Sequence, residues 1–223
     1  MRKLAKRIWE EAKPIEAGDE VACYLARRGL GMQQYPRALR THPALGFYVR
    51  EESGRKSKLA CRYAAMLAAV QAADGHAMTV HRTYLESGDK AKVEEPKKLL
   101  NAGIHGAAIR LLEATEELAL AEGIETALAV HLRTGKPVWA TVSATNMEKV
   151  WIPDTVKRIC IYADNDASFT GQAAAFALAK RLKQEEKRVG PREVRVFVPH
   201  NSGTDFADVW LSRRRVAELA TAA

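Results

Sequence analysis

Two apolar runs that each end in acid constrain this chain more than any other feature. The first, Leu118-Ala-Leu-Ala-Glu122, is followed by Gly123, and the second, Ile159-Cys-Ile-Tyr-Ala163, by Asp164-Asn-Asp166. Each run is short, bounded, and succeeded by a helix-like stretch, so each reads as a buried parallel strand. In an open α/β sheet, ligands bind beyond the carboxyl ends of the strands. Both runs therefore deliver carboxylates to the same edge. Carboxylates packed together are costly unless a cation joins them. Oxygen-only ligands suit a hard divalent ion, Mg²⁺ or Mn²⁺. The pattern points to metal-assisted phosphate chemistry.

The surrounding pattern extends this reading into a fold. Ile124–Arg133 reads as a helix closed by Gly135, Val138–Val142 as a strand, and Thr145–Val150 as a short helix. Arg158–Ala163 reads as a strand, Thr170–Lys187 as a long helix, Val194–Val198 as a strand, and Phe206–Leu219 as largely helical. Alternating strand and helix implies a mainly parallel sheet covered on both faces. The fold class expected is α/β: a mainly parallel sheet flanked by helices over residues 113–223, preceded by a smaller basic α+β subdomain over residues 1–112.

The first part is less regular. Residues 2–13 read as an amphipathic helix with Leu4, Ile8, Trp9 and Ala12 on one side, and Glu20–Arg28 as a short helix ended by Gly29. Residues 30–58 read as irregular and basic. The alanines of residues 59–72 favour helix, yet Asp74-Gly75 is a hairpin signal and Ala77–Leu85 alternates, so a hairpin is expected. A polar, lysine-rich loop over 86–98 and a short strand within Ile104–Leu112 complete this part.

Charge separates the same two parts. Residues 1–110 hold 20 Lys and Arg against 12 Asp and Glu, whereas residues 111–223 hold 15 of each, so the whole net charge of +8 lies in the first part. A basic module beside a neutral, acid-sited one fits a polyanionic partner such as nucleic acid. The cysteines Cys23, Cys61 and Cys160 are scattered and form no CxxC pair, which excludes a zinc ribbon within this chain and fits a reducing compartment. No apolar run is long enough to span a membrane and the amino terminus lacks the apolar stretch of a signal peptide, so a cytoplasmic location is expected. No GxxxxGK[ST] sequence is present, which argues against an ATP-driven motor.

Glu122-Gly123 and Asp164-Asn-Asp166, with the acidic segment Gly203-Thr-Asp-Phe-Ala-Asp208 after the next strand, resemble the motifs of the Toprim domain. That domain is the metal-binding α/β fold of bacterial primases, topoisomerases and some nucleases. Upstream, His81-Arg-Thr-Tyr-Leu85, Pro96-Lys-Lys98, Gly103 to Gly106 and Ile109-Arg-Leu111 resemble the segment that precedes Toprim in phage- and plasmid-borne primases. The sequence departs from some cellular primases at Thr126, where they carry an aspartate four residues after the motif glutamate. It also departs in lacking an amino-terminal zinc-binding domain.

The resemblance implies a DNA primase catalytic core that makes short RNA on single-stranded DNA from ribonucleoside triphosphates. A replicative helicase or a zinc-binding partner would act in trans. A Toprim nuclease and a non-catalytic nucleic-acid-binding or recombination-mediator protein are the competing readings. Asp164 and Asp166 are expected metal ligands, with side chains on one side of the strand. Glu122 is a ligand or the general base, with a helix-capping charge as its bland alternative. Asp205 and Asp208 are candidates for a further metal contact, and capping of the last helix is the alternative for Asp205. Arg82, Lys92, Lys97, Lys98 and Arg110 are candidates for gripping a triphosphate or the template backbone. Trp9 and Tyr84 are candidates for stacking on bases, whereas Trp139 and Trp151 read as packing residues.

Overall fold

The computed structural model describes residues 3–50, 57–100 and 103–221. The chain forms two compact units that interleave in sequence: Met1–Arg27, Gly31–Ala69 and Thr79–Ala102 in the first; Arg28–Leu30, Val70–Met78 and Gly103–Ala223 in the second.

The first unit is built on an antiparallel sheet with strands β1 (Leu39–Arg50), β2 (Ser57–Gln71), β3 (Ala77–Glu86), β4 (Asp89–Lys90) and β5 (Lys97–Leu99). The sheet order is β1-β2-β3-β4, and β5 pairs with β3. The expected hairpin is present as β2 and β3. The Asp74 carboxylate accepts from the His76 amide at 2.9 Å, and Gly75 has φ +83°. A left-handed turn residue of this kind overrides the helical propensity of the alanines. Residues 30–58 are not irregular throughout: they contain β1. His42 and Pro43 hide it, because the register shifts between His42 and Leu45 and the alternation breaks there. Proline is tolerated in a strand at such a bulge.

Helix α1 (Lys3–Glu11) buries Ala5 and Ile8, whereas Leu4 is 47% exposed, so the inward face is rotated from the one expected. Helix α2 (Glu20–Arg27) is capped by Asp19, whose carboxylate accepts the Ala22 amide at 2.8 Å. The core of this unit joins Ala5, Ile8 and Ala12 to Phe47, Ala65, Leu67, Val80 and Tyr84. The Tyr84 hydroxyl donates to the Gly46 carbonyl at 2.9 Å, and its ring meets Phe47 edge-on at 5.0 Å.

The second unit is the expected mainly parallel sheet. Its strands are β6 (Ile109–Arg110), β7 (Glu117–Ala121), β8 (Val138–Ala140), β9 (Arg158–Tyr162) and β10 (Glu193–Phe197), in the order β10-β9-β7-β8-β6. All neighbours run parallel except β6 against β8. The chain steps from β7 out to β8, then crosses back over β7 to β9 and on to β10. The direction of winding therefore reverses between β7 and β9. Right-handed crossovers then place helix α3 (Ile124–Thr134) and helix α5 (Thr170–Val189) on opposite faces. Helix α6 (Phe206–Thr221) packs with α3, and the short helix α4 (Ala144–Met147) packs with α5.

Side-chain alternation along the strands follows this layering. Leu118, Leu120, Ile159 and Ile161 share a core with Ala174, Ala175, Leu178 and Leu182 of α5. Glycine caps close α3: Gly135 has φ 68° and its amide returns to the His131 carbonyl, the left-handed C-terminal arrangement. At the amino-terminal end of the strands, Glu117 pairs with Lys136 and with Arg158, the latter at 2.6 Å. These partners, Lys136 first, hold its carboxyl below the usual carboxylate range. No described helix is long and apolar enough to cross a membrane.

Candidate functional site

The acidic residues lie where the winding reverses. β7 and β9 are adjacent and in register, with Ala121 opposite Tyr162. Glu122 therefore leaves β7 beside the point where Ala163 and Asp164 leave β9. Crevices at such reversal points are where open α/β sheets place ligands.

The loop after β9 is held by a set of directed hydrogen bonds. Ala163 still donates to the Phe197 carbonyl at 2.9 Å. The strand ends at Tyr162, so Asp164 and Asp166 lie in the loop that follows it. The Asp166 carboxylate turns back to accept the Gly171 amide at 3.0 Å, at the start of α5. Gly171 is required by this packing: a Cβ there would lie 2.8 Å from the Asp164 carbonyl oxygen and 3.1 Å from Asp166 Oδ2. Asn165 links the loop to the one after β10. Its amide donates to the Thr204 carbonyl at 3.0 Å, its carbonyl accepts the Gly203 amide at 2.7 Å, and its Nδ2 donates to the Pro199 carbonyl at 2.8 Å. Gln172 Nε2 in turn holds Asn165 Oδ1 at 2.8 Å. These contacts left no signal in the sequence, because they run to backbone groups.

Asp205 and Asp208 form a reciprocal cap at the start of α6. The Asp208 amide donates to Asp205 Oδ1 at 2.9 Å and the Asp205 amide to Asp208 Oδ2 at 3.1 Å. This is the capping-box arrangement. Asp205 Oδ2 also accepts from the Thr126 hydroxyl at 3.1 Å. Thr126 is the position four residues after Glu122, so the loop after β10 is tied to the first turn of α3.

Backbone strain gathers at the same edge. Among the described residues, three non-glycine residues have positive φ, Ser87, Val142 and Phe169, and two of them border the acidic loops. Val142, at φ 75°, donates its amide to the Glu122 carbonyl at 2.9 Å. Phe169, at φ 60°, donates to the Asp166 carbonyl at 3.0 Å and leaves its ring 69% exposed. A β-branched residue in this region is a true outlier, and such strain clusters at working sites.

The donor set is entirely carboxylate oxygen, which fits a hard divalent cation and not a softer one. The glycine at 171 allows the loop bearing Asp164 and Asp166 to lie close on α5. Among the described residues, no three His, Cys, Asp or Glu side chains converge closely enough to enclose a metal ion.

The cations divide between the units. In the first, Arg82 on β3 lies directly opposite Lys98 on β5, and Thr83 opposite Lys97. Like charges facing across an antiparallel pair repel. Arg82 donates to the Tyr84 hydroxyl at 3.1 Å and the Leu99 carbonyl at 3.2 Å, and its buried Nε has no hydrogen-bond partner among the described residues. Lys98 lies 4.5 Å over the Phe47 ring and 3.6 Å from Glu95. Lys92 and Lys97 are exposed.

Arg110, in the second unit, is engaged differently. It donates to the carbonyls of Ala72 and Ala73 and stacks 4.6 Å from the Trp139 ring and 5.3 Å from Trp151. Burial lowers its pKa. Its contacts are those of a packing residue. The stacking candidates Trp9 and Tyr84 are likewise occupied: Arg40 covers Trp9 at 4.6 Å, and Tyr84 is buried.

Residues 1–111 match a domain family of unknown function, DUF7146, and residues 117–215 match the Toprim domain. Residues 117–215 are therefore a Toprim domain. No curated protein matches it. Among solved structures, it resembles a DNA primase domain from Pseudomonas aeruginosa at 15% identity and a TM-score of 0.61, over 96% of this chain and 77% of that one. A DnaG primase catalytic domain bound to ssDNA matches at 12% identity and a TM-score of 0.59, over 92% and 73%. The zinc-binding and RNA polymerase domains of the Aquifex aeolicus primase match at 13% identity and a TM-score of 0.56, over 95% and 58%. At these identities the likeness is one of fold. Over most of its length the chain shares the fold of these primase domains.

Proposed function

We propose that this Toprim protein is a DNA primase, or the catalytic core of one, that makes short RNA primers on single-stranded DNA. The observation that supports the reading is the adjacent, in-register pairing of β7 and β9, because Glu122, Asp164 and Asp166 follow the neighbouring ends of those two strands. The likeness to primase cores supports it because it spans both units, not the Toprim domain alone. A nuclease reading accounts for the acids but not for the likeness of the first unit to primase cores.

In this reading residues 113–223 hold Mg²⁺ or Mn²⁺ through Asp164, Asp166 and Glu122. The bound ion supplies charge neutralisation for attack by a 3′-hydroxyl on an α-phosphorus and for departure of pyrophosphate. Glu122 serves as ligand or as base for that hydroxyl. Asp166 orients the loop through its bond to Gly171. Asp205 and Asp208 hold the third loop in place through their cap, with any metal contact secondary to it. Residues 1–112 hold template and ribonucleoside triphosphate. Arg82, Lys97 and Lys98 form the cationic strand pair for phosphates and Lys92 lies in the loop beside it, whereas Arg110 stabilises its hairpin. A zinc-binding partner, such as the domain in the Aquifex aeolicus structure, or a replicative helicase would act in trans, in the cytoplasm.

The test is synthesis of labelled oligoribonucleotides on single-stranded DNA with Mg²⁺ and with Mn²⁺, by the native chain and by Asp164→Ala. The expected result is a product ladder that falls more than about 100-fold in the variant, beyond the loss typical of an outer-shell partner. Shortening of the template with metal alone, abolished by the same substitution, would establish the nuclease instead.

A further inference from the structure

A cavity of about 190 Å³ lies between α3 and α6 in the Toprim domain, over the sheet at Tyr162. Its walls are Val130 of α3, Val209 and Trp210 of α6, and the rings of Tyr162 and Phe206. No carboxylate lines it. Arg133 and Arg213, one from each helix, also line it, with Ala129 and with Thr134, whose hydroxyl donates to the Val130 carbonyl at 2.7 Å. Both arginines are exposed, and neither makes an ion pair or hydrogen bond among the described residues. An apolar cavity of about 150 Å³ is large enough to hold a benzene ring. This one therefore has room for a single bulky side chain, with two uncommitted guanidinium groups at its mouth.

We propose that the groove between α3 and α6 docks an acidic peptide segment through one bulky apolar side chain. The side chain fills the cavity, and carboxylates on either side of it meet Arg133 and Arg213. Charge complementarity selects the partner. Bidentate guanidinium–carboxylate contact is the strong form of such pairing, and an apolar anchor ringed by polar contacts is how small interfaces concentrate their energy.

A nucleobase fits less well. The Tyr162 ring is stacked against Phe197 at 4.9 Å and met edge-on by Phe206 at 5.0 Å, so its faces are taken. The Trp210 indole N–H is committed to the Gly29 carbonyl at 2.8 Å. No other polar group in the walls is placed to read a base edge. None of Glu122, Asp164, Asp166, Asp205 and Asp208 lines the groove, and the proposal stands whether or not the primase reading holds.

The probe is a fluorescein-labelled peptide, Asp-Asp-Glu-Asp-Phe-Glu-Asp, titrated by anisotropy with the full chain. The comparison is the same peptide with alanine for phenylalanine. The expected result is saturable binding of the phenylalanine peptide, at least tenfold weaker binding of the alanine peptide, and at least tenfold weakening by Arg133→Glu combined with Arg213→Glu. Those two residues are exposed, so the pair of changes leaves the fold intact, which circular dichroism checks. A second variant, Val209→Asp, should abolish the preference for phenylalanine. Absence of binding, equal binding of both peptides, or binding that survives the charge reversal would overturn the proposal. Displacement of the peptide by oligodeoxythymidine, with no dependence on phenylalanine, would assign the surface to nucleic acid instead.

Discussion

At the scale of single residues, the acidic edge is distinguished by strain as much as by charge. Val142 and Phe169 adopt a left-handed backbone, at φ 75° and 60°, that neither residue favours. An L residue held there costs roughly 1–2 kcal/mol, and asparagine tolerates the conformation best after glycine. Each hands its amide to a neighbour of the site, Val142 to Glu122 and Phe169 to Asp166. Phe169→Asn is expected to raise stability by about 1 kcal/mol, read as a higher urea midpoint. It is expected to lower primer synthesis at the same time, which is the pattern of strain kept for function. A variant that gains neither stability nor loses activity would show that the exposed ring is incidental.

At the scale of elements, the two loops that carry Asp166 and Asp205 are governed by helix starts. Asp208 lies at the third position of α6 and returns a hydrogen bond to Asp205. Asp208→Ala should therefore cost about 0.5–2 kcal/mol, the range for loss of a cap, in chemical denaturation. It should leave the Mg²⁺ concentration for half-maximal synthesis unchanged. A rise of tenfold or more in that concentration would instead make Asp208 a ligand.

The legibility of the sequence follows the same division. The strands of the Toprim domain were readable because each apolar run is short and ends at a turn residue or an acid. β1 was not, since Pro43 and a shifted register interrupt its alternation. Glu122, Asp164 and Asp166 were conspicuous as acids at the ends of apolar runs. The Asn165 links to Gly203 and Thr204 were invisible, because carbonyls and amides are common to every residue. Arg110 shows the converse: a cation beside a candidate motif says nothing of whether carbonyls and tryptophan rings have already claimed it.

At the scale of the molecule, most of the basic excess and the acidic loops belong to different units, so their contributions to the proposed nucleic-acid binding are separable. Contact with phosphates by Lys92 and Lys97 would release counterions, about 0.7 per charge on a single strand. Replacing both with alanine is expected to make the slope of log K against log salt shallower by roughly 1.4. Filter binding of single-stranded DNA across a salt series measures this. An unchanged slope would remove the two lysines from the interface and leave the facing pair Arg82 and Lys98 as the candidates.

The fastening of Asn165 to residues 199–204 also bears on how the protein is made. The three acidic loops come from widely separated stretches, and the last of them follows β10, the final strand of the parallel sheet. A chain emerging from the ribosome exposes Glu122, Asp164 and Asp166 long before Gly203 and Thr204 arrive to brace them. Until then Asn165 lacks those partners, and the carboxylates have no fixed separation. Incomplete chains would carry Glu122, Asp164 and Asp166 and still lack the links that tie Asn165 to residues 199–204.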